Sequence, residues 1–313
     1  MYAIWNLTRK CPWHCDICCV SRITDKSDKS REKELTFEEK LRVLKRLEEA
    51  NLDHIDFSGG DPLFYQEDFK IIEEATKMFP KDMISVSTTG YDFNLEKINL
   101  LKKVGKAEFT LDYFDSSLDK SRQKGYNNSS MNAIELCVKN GIDVSAVTVL
   151  NNLTVDINQD FNNLNRIFQW LCETKVPEWD ILLFLPVGVA QFNYSKYLLS
   201  KKEILLVVDY LKSLKGFTKI VFQHSFDVMM GCLNCRAGVE TFGILPDGTV
   251  SACAWALDYN CQPYDGFKLG KVPEQSLEDI LTSTSKSWNG CKNCRTIKYL
   301  KEFALKGVNI YDD

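Results

Sequence analysis

The stretch "AIWNLTRKCPWHCDICC" (residues 3–19) decides how the rest of the chain is read. Its first six residues form an apolar, β-prone run that ends at Thr8, and three residues later Cys11, Cys15 and Cys18 follow in the spacing C-x3-C-x2-C, with Cys19 adjoining. A strand that delivers three thiols to one short loop suits a thiolate-rich metal centre. Three thiolates occupy three irons of a [4Fe–4S] cube and leave the fourth iron open to another ligand. A structural zinc is the competing reading, but such sites close with four ligands and the one further thiol nearby, Cys19, directly follows Cys18.

From this loop outward, β-prone runs alternate with amphipathic ones. Strands are expected at 3–8, 54–59, 84–89, 107–112, 143–150 and 180–185, and helices at 36–52, 66–78, 94–104, 129–140 and 161–175. Thr36 and Glu39 have capping-box spacing at the start of the first helix. Six β/α units imply a parallel α/β sheet, too short for a closed eight-stranded barrel but sufficient for a partial (β/α)6 barrel. Chemistry in such folds gathers at the C-terminal ends of the strands. After residue 190 the rhythm changes to a helix near 200–214, a strand at 219–223 and a hairpin at 242–253 turning on Pro246-Asp247-Gly248. The expected division is 1–190 for the barrel, 191–225 for a connecting segment and 226–313 for a small cysteine-rich α+β domain.

Composition sets limits. In 313 residues, 44% are hydrophobic and 26% charged, with a formal net charge of −4, so the chain has material for a large core and no basic surplus for nucleic acid. The absence of a signal pattern or a long apolar run predicts a cytoplasmic protein with no membrane association. In a reducing compartment its twelve cysteines read as metal ligands or redox groups rather than disulfides, and three histidines are too few for mixed Cys/His chemistry.

Further stretches carry a resemblance. "SGGDP" (58–62), "STTG" (87–90), "TLDYFDSSLDKSRQKG" (110–125), "VTVLNN" (147–152) and "FLPVGVA" (184–190) fall in order at successive strand ends. Together with C-x3-C-x2-C, they resemble the radical S-adenosylmethionine (radical SAM) superfamily. The resemblance implies that Cys11, Cys15 and Cys18 hold a [4Fe–4S] cluster whose open iron binds SAM. It also implies SAM contacts from Ser58, Gly59, Gly60, Asp61, Pro62, Ser87, Thr89, Asp112, Arg122, Val149 and Ile17. Asp61 stands where the family usually has Glu, Thr89 where it has Asn, and Ile17 where an aromatic residue packs on adenine. Asp112 and Arg122 also permit the plainer reading of a surface ion pair.

Toward the C-terminus, Cys235, Gly248 and Cys253 give C-x12-G-x4-C, followed by Cys291 and Cys294 as C-x2-C. This resembles the SPASM/twitch extension of the same superfamily, in its shorter form because no cysteine follows Cys294. The resemblance implies one auxiliary [4Fe–4S] cluster held by Cys235, Cys253, Cys291 and Cys294. Cys232 competes with Cys235, and zinc remains an alternative for this module. Cys137 and Cys172 read as apolar helix residues. Cys232 and Cys261 are candidate hydrogen-atom donors. The implied enzyme cleaves SAM reductively and abstracts hydrogen from a substrate C–H bond. A ribosomally made peptide is the leading substrate, through crosslinking, thioether formation or epimerisation, and a small molecule undergoing dehydrogenation is the alternative. A non-catalytic iron–sulfur electron carrier is the reading from another class. A flavodoxin- or ferredoxin-type reductant is implied. Because the chain opens directly on the barrel, a separate leader-peptide-binding protein is expected as a partner.

Overall fold

The computed structural model describes residues 1–20, 34–115, 121–229, 234–288, 293–306 and 310–311. Six parallel strands come first: β1 (Tyr2–Thr8), β2 (His54–Gly59), β3 (Ile84–Thr88), β4 (Lys106–Thr110), β5 (Val144–Leu150) and β6 (Glu178–Leu183). The main crossover helices are α1 (Phe37–Glu49), α2 (Gln66–Met78), α3 (Leu95–Leu101) and α4 (Tyr126–Lys139), then the single turn α5 (Asn152–Val155) and α6 (Asn162–Thr174). The result is an open, partial (β/α)6 barrel. Its helices begin where local chemistry dictates: Thr36 Oγ1 accepts from the Glu39 N–H at 3.2 Å while Glu39 Oε2 accepts from the Thr36 N–H at 2.8 Å.

Alternation along the strands divides the sheet into two faces. Trp5 on β1, Phe57 on β2, Val86 on β3, Phe109 on β4, Ala146 on β5 and Trp179 on β6 point outward and are fully buried beneath the helices. Each large side chain of this set contributes about 1.5–3 kcal/mol by leaving water. The opposite face lines the barrel lumen, where Ile4, Ser87, Glu108, Thr110, Val147, Val149, Asp180 and Leu182 are only half-buried. Water therefore reaches the lumen wall, while the helix-facing side is dry.

The sheet continues past the six expected strands at both edges. After α7 (Lys201–Ser213), β7 (Lys219–Phe222) pairs parallel with β6, and after α8 (His224–Met229), β8 (Thr241–Ile244) pairs parallel with β1. An open barrel leaves two rows of unpaired backbone groups, and these short strands satisfy them. The hairpin falls where expected, as β8 and β9 (Thr249–Ser251), with Gly248 at φ +83° and the Thr249 N–H bound to Asp247 Oδ1 at 3.0 Å. The last strand, β10 (Lys268–Lys271), pairs antiparallel with β9 and precedes α9 (Leu277–Trp288) and α10 (Arg295–Tyr299). Several strand ends shift by one or two residues from the sequence reading; β4 stops at Thr110, so Asp112 lies on the loop beyond it rather than at the strand's end. Among the described residues no helix is long and apolar enough to cross a membrane.

Candidate functional site

The loop after β1 is fixed at both sides. Glu34 accepts from the Thr8 hydroxyl at 3.1 Å and from the Arg9 N–H at 2.7 Å. Gly59 and Gly60 lie flat against the same segment: a Cβ on Gly59 would sit 2.4 Å from the Thr8 carbonyl oxygen, and one on Gly60 2.3 Å from that of Lys10. Backbone bonds from Gly60 to Thr8 and from Asp61 to Lys10 join the two loops, at 2.6 and 2.9 Å. The two glycines of "SGGDP" thus have a cause within the fold, the close approach of the cysteine loop. From the other side Gly188, at φ +58°, presses on the Cys18 and Cys19 carbonyls, and Val189 N–H donates to the Cys18 carbonyl at 3.0 Å.

Cys11, Cys15 and Cys18 are brought together. Burial pushes the Cys11 and Cys15 thiols well up, and the neighbouring cysteines add to it for both. Thiols that raise one another's pKa suit a cationic iron cluster, whose charge reverses that penalty and holds them as thiolates. Among the described residues no three His, Cys, Asp or Glu side chains converge as a single-ion site would require; in a cubane each thiolate takes its own iron.

Asp61 and Thr89 meet. The Asp61 carboxylate is fully buried; Oδ1 accepts from the Thr88 hydroxyl at 2.8 Å and the Leu63 N–H at 3.0 Å, and Oδ2 accepts from the Thr89 hydroxyl at 2.5 Å. Thr89 Oγ1 in turn accepts from Trp13 Nε1 at 3.0 Å. One hydrogen-bonded chain therefore ties the cysteine loop, the "SGGDP" loop and the end of β3 together. Asp61 and Thr89, two of the three residues that depart from the usual pattern, make it together with Trp13. Ser58 and Pro62 are buried beside it.

Asp112, Arg122 and Val149 form a second group. Asp112 Oδ1 accepts from the Val149 N–H at 2.9 Å and Oδ2 from Arg122 Nε at 2.7 Å, with the Asp112 side chain fully buried and that of Arg122 11% exposed. Asn127 Oδ1 holds the Asp112 N–H at 2.8 Å, and the Arg122 guanidinium lies 5.0 Å from the Tyr126 ring centre. Arg122 also interacts with the Cys15 thiol, its charge pulling against the upward push of burial. Ile17 is buried in an apolar cluster with Phe184, Ala190 and Tyr197, against which Val149 packs. The structure thus places Ile17, Val149, Asp112 and Arg122 around the cysteine loop.

In the C-terminal region Cys235, Cys253 and Cys294 gather: burial raises Cys253, with Cys235 adding to it, and burial raises Cys294 to about 12, with Cys253 and Cys235 adding to it. The Thr296 hydroxyl lies 3.5 Å from Cys253 Sγ. Cys291 and Cys232 lie outside the described residues. Cys261 is not with this group: it is buried with Val20, Leu245 and Leu257, against Cys18 and Cys19 at the seam between barrel and C-terminal region. Cys137 is buried in the core as an apolar residue.

One cluster escaped the sequence reading. Asp56 accepts from the Ser85 hydroxyl at 2.8 Å, and the Ser87 hydroxyl lies 3.2 Å from Asp56 Oδ1 and 3.1 Å from Glu108 Oε2, so Ser87 faces the lumen acids. Burial, with repulsion from Asp56 and Asp180, pushes Glu108 up to about 8; burial raises Asp56 to about 6 and Asp180 upward. The signal was present as polar residues at every second position of "HIDFSG" and "AEFT".

Two family models match separate stretches of the chain. The Radical SAM superfamily model matches residues 5–171, and the SPASM model, an iron–sulfur cluster-binding domain, matches 235–296. Among solved structures, Streptococcus suis SuiB bound to precursor peptide SuiA superposes with a TM-score of 0.70 at 14% identity, covering 90% of this chain and 64% of SuiB. This chain thus spans a little under two thirds of that SuiB chain. Native anSMEcpe with bound AdoMet gives 0.64 at 17% identity, covering 96% of this chain and 86% of the other. The same protein with AdoMet and Cp18Cys peptide gives 0.63 at 15%, covering 97% and 96%.

Proposed function

From the premise that this chain belongs to the radical SAM superfamily and carries a SPASM iron–sulfur domain, we propose that it modifies a ribosomally made peptide. The observation that carries the reading is that two solved structures sharing the fold over most of the chain hold peptides: SuiA on SuiB, and Cp18Cys on anSMEcpe. The enzyme uses SAM and [4Fe–4S] clusters. When bound and reduced, these supply one-electron cleavage of SAM and a radical able to take hydrogen from an unactivated C–H bond.

The residues divide as follows. Cys11, Cys15 and Cys18 hold the SAM-binding cluster. The loop at 58–62 would carry SAM's amino end, Arg122 would reach its carboxylate and Ile17 would cover the adenine, with Ser87, Thr89 and Val149 as further contacts. Asp112 positions Arg122 through its 2.7 Å bond and fixes the Val149 backbone. Cys235, Cys253 and Cys294, with Cys291, would hold an auxiliary cluster, which would supply an electron acceptor beside the substrate. The proposed division is a barrel at 1–190, a connector at 191–225 and an auxiliary domain at 226–313; the family matches at 5–171 and 235–296 fall inside the first and the last of these. Cys261 at the seam, and Cys232, remain candidate hydrogen donors in an epimerising version of the reaction.

The test is 5′-deoxyadenosine release by anaerobically reconstituted, reduced enzyme, with host extract divided into a peptide pool and a small-metabolite pool. Stimulation by the peptide pool supports the reading. Stimulation by metabolites alone overturns it in favour of a small-molecule dehydrogenase.

A further inference from the structure

The barrel lumen carries more carboxylate than the fold needs. Asp56 on β2, Glu108 on β4 and Asp180 on β6 all point inward, and the Ser87 hydroxyl, with one proton to give, lies within reach of two of them. The other titratable groups facing this cluster are Tyr2 below, His54 stacked on Tyr2 at 4.5 Å, the Lys106–Glu178 ion pair at 2.5 Å, and Lys219. Lys106 is committed to Glu178, so the three inward carboxylates have no cation of their own among the described residues save the more distant attraction of Lys106 and Lys219. Buried like charges without a counter-charge are costly and persist where a proton or a cation offsets them.

A second observation points to a ligand. Asn6, on the inward face of β1 and two residues along from Ile4, which pairs with Asp56, is fully buried, yet neither its Oδ1 nor its Nδ2 has a hydrogen-bond partner. An amide with both ends unsatisfied costs free energy unless something polar fills the space before it. Glu108 and Asp180 are half-buried rather than sealed, so water reaches them.

We propose that this lumen receives the cationic end of the substrate, a protonated amine or a guanidinium, at Asp56, Glu108 and Asp180, with Asn6 holding an adjoining polar group. The inference deepens the peptide reading by naming a lysine- or arginine-type residue as the part that is anchored. Anchoring in the lumen fixes the substrate by a group that does not react, leaving the C–H bond to be presented at the C-terminal strand ends.

The experiment is calorimetric titration of the cluster-reconstituted, SAM-loaded enzyme with n-butylammonium, n-propylguanidinium and the neutral n-pentanol, each alone. The charged probes are expected to bind at least about tenfold tighter than the alcohol, the tighter of the two showing which cation the lumen prefers. In the Glu108→Gln/Asp180→Asn variant, with iron content and far-UV circular dichroism retained, that preference should fall to near unity. Equal binding of cations and alcohol by the unaltered enzyme overturns the inference without depending on any variant, as does unchanged cation preference in the double variant. No peptide enters this measurement. Peptide-stimulated 5′-deoxyadenosine release without cation preference would sink the inference alone.

Discussion

Replacing Thr89 by Val tests the chain that ties the cysteine loop to β3. Val has nearly the shape of Thr, so packing is conserved and the change removes one hydroxyl. That hydroxyl donates to Asp61 Oδ2 at 2.5 Å and accepts from Trp13 Nε1 at 3.0 Å. Asp61 keeps Thr88 and the Leu63 N–H on Oδ1, so its loss sits at the lower end of the ~1.5–3 kcal/mol for a hydrogen bond to a charged group. The indole N–H left without its acceptor adds ~1 kcal/mol, for a total of about 2–3 kcal/mol. Trp13→Phe removes only the N–H and leaves an aromatic ring for the edge contacts with Tyr91 and Tyr126, so it should cost about 1 kcal/mol for the shared bond plus a modest packing loss. The assay is urea unfolding of the anaerobic apo-protein by circular dichroism, compared at equal denaturant slopes. Because both substitutions break the same bond, the double variant should be milder than the sum by about 1 kcal/mol. Thr89→Ser should recover most of the loss. Strict additivity, or a Thr89→Val cost under about 0.5 kcal/mol, would refute the hydrogen-bonded chain.

Other outcomes follow from the same geometry. The variant with Cys11, Cys15 and Cys18 all changed to Ala should release no 5′-deoxyadenosine yet retain about four irons per chain; a folded protein with no iron would rule out the auxiliary cluster. Lys40→Met should lower stability by about 3–5 kcal/mol, because it strands the buried Asp68 carboxylate that Lys40 Nζ meets at 2.5 Å; a near-neutral result in the same urea assay contradicts that pair. Glu108 has its folded-state pKa raised to about 8 from an ordinary 4.5, so its contribution is fully present below about pH 4.5 and is lost as pH rises through 8. Apo-protein urea midpoints should therefore fall between pH 5 and 8, and Glu108→Gln should flatten that slope; an unchanged slope would show that Glu108 is not held neutral.

Alternation and capping made the first six β/α units legible, because each is a local pattern: "TFEEKL" carries its own capping box, and "HIDFSG" its own two-fold period. What could not be read was edge pairing. The four-residue runs of β7 and β8 show no preference for β6 or β1 as a neighbour; closure of an open sheet selects them, and that is a property of the whole barrel. β10 is "KLGK", with little β propensity of its own. Its Gly270 lies so close to α9 that a Cβ would meet Ile280 at 2.7 Å, so tertiary packing holds it as a strand.

The site divides along the same line. Cys11, Cys15 and Cys18 were legible because spacing on one loop is local, whereas the pairing of Asp61 with Thr89, or Asp112 with Val149, depends on which strand ends adjoin. Read singly, Asp61 and Thr89 are two departures from a pattern; in space they are one arrangement, a short carboxylate met by a short hydroxyl, with Trp13 closing the chain. The lumen acids show the reverse case, a local signal whose meaning is global. Strands of a parallel sheet covered on both faces read as continuous apolar runs. Polar residues at alternate positions of β2, β3 and β4 therefore mean that one face has no apolar layer against it. An inner face that is acidic, partly wetted and crowned by an amide with no partner is shaped for a polar occupant, and the sign of its charge selects a cation.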